Sequence, residues 1–164
     1  MIALPTITDH FGYTYLTPIK SLWRRGFHSG IDCNGKGAGD SDLGQKINAF
    51  GKGRVVFASS VIMPGWGRVI IIEHWFKNAL GKPVKVWGRY AHLEKVLVKV
   101  GDIVKEEQLI ATMGKTGTQS AHLHFDLMKE DPKNKFYQYV WGMSRVDVMK
   151  KYADIIWASH NWTH

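Results

Sequence analysis

Cysteine is nearly missing from this chain: Cys33 is the one thiol in 164 residues. A lone thiol closes no internal disulfide and builds no cysteine-ligated zinc site. Long apolar runs are missing too, and none approaches the roughly 18 residues of a membrane-crossing helix. The first ten residues have neither the basic head nor the apolar stretch of a secretory leader, so no export signal is expected. Internal repeats and low-complexity tracts are absent, which excludes solenoids and linker-joined arrays. Acidic residues are the scarcer sign: 14 Asp and Glu face 22 Lys and Arg, a formal net charge of +8 at pH 7. Such a surface draws polyanions. No nucleic-acid motif or basic recognition helix accompanies it, so nucleic acid is not an expected partner.

What is present is an ordinary globular composition, 45% hydrophobic, enough for one sizeable core. The expected organisation is a single domain over 1–164, with a core over about 5–130 and a helical extension over about 131–164. Short β-favouring stretches alternate with Gly-rich turns. Residues 54–58, 68–75 and 84–90 read as strands, with a hairpin connection between the last two. Residues 98–104 read as strand-turn-strand, and 109–114 as a further strand. Many short strands at regular spacing predict a mainly β fold, an antiparallel β-sandwich or partly open barrel. One helix is expected near the end. Ser144 is its N-cap with Asp147 three residues on, and Val148, Met149, Tyr152, Ile155 and Ile156 recur at helical spacing. It reads as a stripe packed on the sheet. The sharper alternative is a basic amphipathic element, with Trp157 and Trp162, that meets a wall or membrane. His160 and His164 carry no expected function.

The segment His122-Leu123-His124-Phe125-Asp126 alternates as a strand, so its two imidazoles and its carboxylate share one face. Two neighbouring imidazoles on one strand face suit a metal better than a core. His28-Ser29-Gly30-Ile31-Asp32 supplies a second pair of ligand types. Catalytic zinc takes three nitrogen or oxygen ligands and keeps one position open. His28, Asp32 and one of the two histidines make three, and the other is left for chemistry. Spacing does not say which is which. Cys33, next to Asp32, points to the opposite face and reads as a small buried apolar residue.

These motifs, with Tyr90-Ala91-His92-Leu93 between them, resemble the LytM/lysostaphin family of zinc metallopeptidases. That family carries His-x-x-x-Asp, then Tyr-x-His-Leu, then His-x-His, in this order. The resemblance runs from about Thr8 to Met128 and includes the glycines of Gly114-Lys115-Thr116-Gly117. It implies a β fold with the metal in a sheet-floored groove, one Zn²⁺ per chain, and endopeptidase action on bacterial peptidoglycan. It assigns His28, Asp32 and His124 to the metal, and His122 and His92 to catalysis, without saying which is the general base. Tyr90 becomes a group that hydrogen-bonds the oxyanion or substrate, set against a plain strand aromatic. Asp126 becomes an acceptor that orients an imidazole, where the family more often has the longer Glu. His74 reads as structural, and Trp66, in the Gly65-Trp66-Gly67 turn, as a packed indole.

The resemblance leaves the cleaved bond open, glycyl-glycine bridge or D-alanyl cross-link; loops 33–50 and 76–83 are where that choice is expected to lie. A catalytic domain without a leader resembles a bacteriophage endolysin, held in the host cytoplasm until a holin opens the way to the wall. Its basic surface would be drawn to the anionic envelope. A monomer is expected. The alternative is a non-catalytic wall-binding domain that activates another hydrolase, although members of that kind typically lack ligands that this chain has. A D-Ala-D-Ala zinc peptidase is excluded, because no Glu-x-x-His element is present.

Overall fold

The computed structural model describes residues 2–6, 8, 10–20, 25–37, 39–132 and 143–164. Residues 133–142 of the expected extension and residue 38 of the 33–50 loop lie outside that set. In chain order the elements are β1 (His10–Phe11), β2 (Pro18–Lys20), β3 (Arg25–Phe27), β4 (Ile31–Asn34), β5 (Lys46–Asn48), β6 (Gly53–Met63), β7 (Gly67–Lys77), β8 (Pro83–Val96), β9 (Ile103–Val104), β10 (Leu109–Met113), β11 (Leu123–Met128), α1 (Arg145–Lys151), β12 (Tyr152–Ala153) and α2 (Ile155–Asn161). The pairings are antiparallel. Strands β1-β4-β11-β8-β7-β6-β9 lie side by side in an open sheet, which the 14-residue β8 extends to β10 and thence β5. The mainly β, antiparallel class is therefore as expected, in the open rather than the closed form.

Side-chain alternation divides this sheet into two faces. Ile70 and Ile72 of β7 join Val86 and Tyr90 of β8, Phe125 and Leu127 of β11, and Ile31 and Cys33 of β4 in the main core. Strands β5 and β10, Ile2 and α2 close it, through Ile47, Ile110, Ile155 and Trp162. The intervening residues, Val69 and Ile71, Trp87 and Ala91, and Met128, face the other way into a smaller cluster with Trp66, Val148 and Tyr152. Both faces of β7 are covered, and for that reason its sequence is a near-continuous apolar run. Cys33 is buried in the main core, and burial pushes its thiol pKa up to about 12. Asp32 and His124 stand on the opposite face, where a smaller cluster leaves room for polar chemistry.

Two elements differ from the sequence expectation. Of residues 98–104 only Ile103–Val104 is a strand. A tight turn occupies 99–102, held by Asp102 N–H to the Lys99 carbonyl (3.1 Å), Lys99 N–H to Asp102 Oδ2 (3.0 Å) and Gly101 at φ 95°. The expected single C-terminal helix is two helices of seven residues with a strand between them. Ser144 does cap the first, accepting from Asp147 N–H. Tyr152 and Ala153 then leave the helix to pair with Met128 and Leu127 of β11, and Asp154 caps a second helix by accepting from Trp157 N–H. Met149 and Ile156, expected on that one packed stripe, are exposed because the helix that would have buried them is broken, and Trp157 is exposed as well.

Candidate metal centre

The β4–β11 register sets His124 opposite Asp32. The loop before β4 brings His28 to the same point through Gly30, where a Cβ would meet the Phe125 carbonyl oxygen at 2.1 Å. Only glycine allows that approach of loop to strand. The outcome is a triangle of donor atoms: His28 Nε2 to Asp32 Oδ1 3.1 Å, His124 Nδ1 to Asp32 Oδ1 3.0 Å, and His28 Nε2 to His124 Nδ1 3.0 Å. Ligands about 2.0–2.1 Å from a tetrahedral zinc are separated by a little over 3 Å, so the donor set fits such an ion. All three residues are buried or nearly so, and together they form a cluster able to hold a metal.

Hydrogen bonds on the far side of each ring select the nitrogen that faces the site. A carbonyl only accepts, so His28 Nδ1–H donates to the Gly30 carbonyl (2.9 Å) and leaves Nε2 for a ligand. His124 Nε2–H donates to Asp126 Oδ2 (3.1 Å) and leaves Nδ1. This is the orienting role expected of Asp126. Burial works against the charge of Asp32, but His124 and His28 outweigh it and hold its carboxyl well below the usual carboxylate range. Burial likewise opposes charge on His124, yet Asp126 and Asp32 raise its pKa to about 9.

His92 and His122 stand together beside this triangle, with ring centroids 4.6 Å apart. His122 Nε2 lies 3.9 Å from Asp32 Oδ1, and the His92 ring is 6.2 Å from that of His124. His122 Nδ1 meets the Ser120 carbonyl at 3.0 Å and His92 Nδ1 meets the Thr116 carbonyl at 2.9 Å. In the neutral form both rings therefore keep an unprotonated Nε2 that can accept a proton. Burial, then the neighbouring His122 and His124, lower the pKa of His92 to about 3; burial also lowers that of His122. His92 reaches the site through a local irregularity of β8. It has φ 63°, in the left-handed region, where the register against β7 shifts. Its N–H is held by the Trp66 carbonyl at 2.9 Å. Non-glycine residues in that region are uncommon and gather at functional sites.

That irregularity corrects one expectation. By strict alternation Tyr90 would share the face of His92. Instead Tyr90 is fully buried in the main core, where its hydroxyl accepts from Phe50 N–H (2.9 Å) and lies 3.2 Å from His74 Nε2. It has no route to a substrate. His74 is fully buried too, between the Lys52 carbonyl and Tyr90, as a structural histidine.

Arg89 and Ser29 carried no sequence signal, and Trp66 was legible only as a packed indole. The Arg89 guanidinium donates through Nε to Asp126 Oδ1 (3.2 Å) and through a second nitrogen to Oδ2. Ser29 Oγ–H donates to Asp126 Oδ2 at 2.8 Å. Trp66 lies under the Arg89 guanidinium at 3.6 Å and edge-on to the His124 ring at 5.2 Å. An Arg just before a histidine motif, three positions from His92, is unremarkable in sequence. Only the pairing of β8 with β11 makes it the partner of Asp126.

The family model described as Peptidase family M23 matches residues 26–136. Outer membrane antigenic lipoprotein B of Histophilus somni is 38% identical over 129 residues, 75% of this chain and 33% of that protein. The murein hydrolase activator NlpD of Escherichia coli K12 is 39% identical over 102 residues, 62% of this chain and 23% of that protein. The chain thus spans a third or less of these curated relatives. Among solved structures, the catalytic domain of the antimicrobial peptidase lysostaphin from Staphylococcus simulans superposes with a TM-score of 0.56 at 27% identity, covering 79% of this chain and 92% of that one.

Proposed function

With more than half of its length matched, the chain belongs to peptidase family M23, and from that premise we propose that it is a zinc-dependent endopeptidase that hydrolyses peptide bonds in bacterial peptidoglycan. The observation that carries this reading is the triangle of His28 Nε2, Asp32 Oδ1 and His124 Nδ1 with sides of 3.0–3.1 Å, next to two imidazoles that do not belong to it. Zinc held by those three residues supplies Lewis-acid polarisation of a peptide carbonyl and a water acidified to a pKa of about 7. The chain's own residues do the rest. His122 and His92, neutral and with Nε2 unprotonated, take a proton from the attacking water and pass it to the leaving amine. Once protonated, the pair faces the tetrahedral oxyanion with positive charge. The +8 surface draws the protein to the anionic envelope.

A second reading rests on the NlpD likeness: a domain that activates another murein hydrolase. Phage lysis is one setting for the enzyme, and the envelope is another; the wall is the target in both. Mass spectrometry of products released from purified peptidoglycans, with and without a zinc chelator, tests the main reading. Soluble fragments with new amino termini, lost on chelation and restored by Zn²⁺, establish the peptidase and name its bond. Zinc-loaded protein that releases nothing from any wall type, but stimulates another murein hydrolase, establishes the activator.

A further inference from the structure

The C-terminal segment from Ser144 onward lies beyond the stretch matched by the family model, which ends at residue 136. It nevertheless reaches the metal centre. Tyr152, buried in β12, is placed by pairing with Met128 of β11 and by Tyr15, whose hydroxyl donates to the Tyr152 carbonyl at 3.1 Å. The Arg89 guanidinium lies 5.9 Å from the Tyr152 ring centre, where the phenol and the guanidinium interact, and packs on Trp66 on its own account. Arg89 holds both oxygens of Asp126, and Asp126 holds His124 Nε2–H. Arg89, Asp126 and His124 are each at most 4% exposed and Tyr152 is 7% exposed.

We propose that Tyr152 is a positioning residue for the metal centre, and that the C-terminal segment thereby sets zinc affinity through the chain Tyr152–Arg89–Asp126–His124. The inference rests on the zinc reading above. A buried network of this kind is stiff because each member has its partners. Asp126 is a carboxylate on a short stem. Arg89 holds both of its oxygens, with Ser29 on Oδ2 as well, and Trp66 and Tyr152 are among the groups that pack against Arg89. Supporting partners of metal-bound histidines typically govern metal affinity by 10–100-fold. Removal of the Tyr152 hydroxyl acts one step further out, so roughly tenfold is expected.

The test is zinc affinity of the purified full chain by competition with a chromophoric chelator, for the wild type, Tyr152→Phe, Arg89→Lys and His124→Ala. Thermal melting of each metal-free protein is recorded alongside. Phe keeps the ring volume of Tyr152 and so its packing. The expected result is stoichiometric zinc on the wild type, none on His124→Ala, and an affinity roughly tenfold weaker for Tyr152→Phe and weaker still for Arg89→Lys. The absorption spectrum of the Co²⁺-substituted protein should change in Tyr152→Phe. If the wild type binds zinc and Tyr152→Phe binds it equally well, with an unaltered Co²⁺ spectrum, the inference is overturned even if the melting point drops. If the wild type binds no zinc, the metal reading fails and this inference with it.

Discussion

Removal of any one donor from the His28–Asp32–His124 triangle leaves two ligands, too few for a tight zinc site. Alanine at each position is expected to abolish both zinc retention, measured by atomic absorption after dialysis, and release of wall peptides. Full activity in any of the three would strike that residue from the ligand set. His122→Ala and His92→Ala should behave differently. On the proposed mechanism their rings accept protons beside the triangle, so zinc should stay bound while turnover falls roughly 10²-fold or more. Loss of metal instead would show that ligand and proton acceptor had been exchanged. His74 offers a test away from the chemistry. Burial lowers its pKa from 6.5 to about 4. Between those values the unfolded chain holds a proton that the folded one refuses, so stability is present in full above pH 6.5 and drains away as pH falls toward 4. The loss amounts to about 3 kcal/mol. Urea unfolding of wild type and His74→Phe at pH 7 and pH 4.5 measures it: the variant, though less stable at pH 7, should lose much less on acidification. Parallel losses would remove His74 as the cause.

At the scale of elements, the two Gly-rich turns act as one support for His92. Gly67 has φ 66°, and a Cβ there would meet the Thr116 carbonyl oxygen at 2.0 Å; that same oxygen accepts from His92 Nδ1. Gly67→Ala is therefore expected to destabilise the fold by several kcal/mol, within the range of a strained backbone plus a clash, and to lower activity in the molecules that still fold. Circular dichroism melting and wall-release assays follow the two effects, and an unchanged protein would disprove the support. What could be read from the sequence follows the same local logic. Period-2 alternation placed His124 and Asp126 on one face and Cys33 behind Asp32, because β11 and β4 are regular. The resemblance misplaced Tyr90, because the left-handed backbone at His92 breaks the alternation and puts Tyr90 on the core face, and no residue type announces that break. The C-terminal helix was misread as continuous because Tyr152 fits a helical stripe as well as a strand, and its pairing with β11 is a tertiary contact. The roles of Arg89 and Ser29, and the packing of Trp66 on Arg89 and His124, were hidden for that reason as well: their partners lie tens of residues away in sequence.

For the whole molecule, charge is the property that acts at a distance. On the reading proposed above, a net charge of +8 would draw the protein to an anionic wall. Binding to purified anionic walls should weaken steeply between about 0.05 and 0.3 M NaCl, as the Debye length contracts from beyond 10 Å to under 6 Å. Salt-independent sedimentation with walls would point to a shaped saccharide or peptide contact instead. The two faces of the sheet have a practical consequence as well. Odd-numbered residues of β11 fill the main core while His124 and Asp126 face the candidate metal centre, so a one-residue insertion in that strand would exchange the sets and destroy both. Substitutions confined to the core face, by contrast, leave the polar face as it was. A laboratory seeking a hardier enzyme can evolve Ile, Leu and Phe positions for heat resistance in one library and groove positions for a new wall chemotype in another, and then cross the winners.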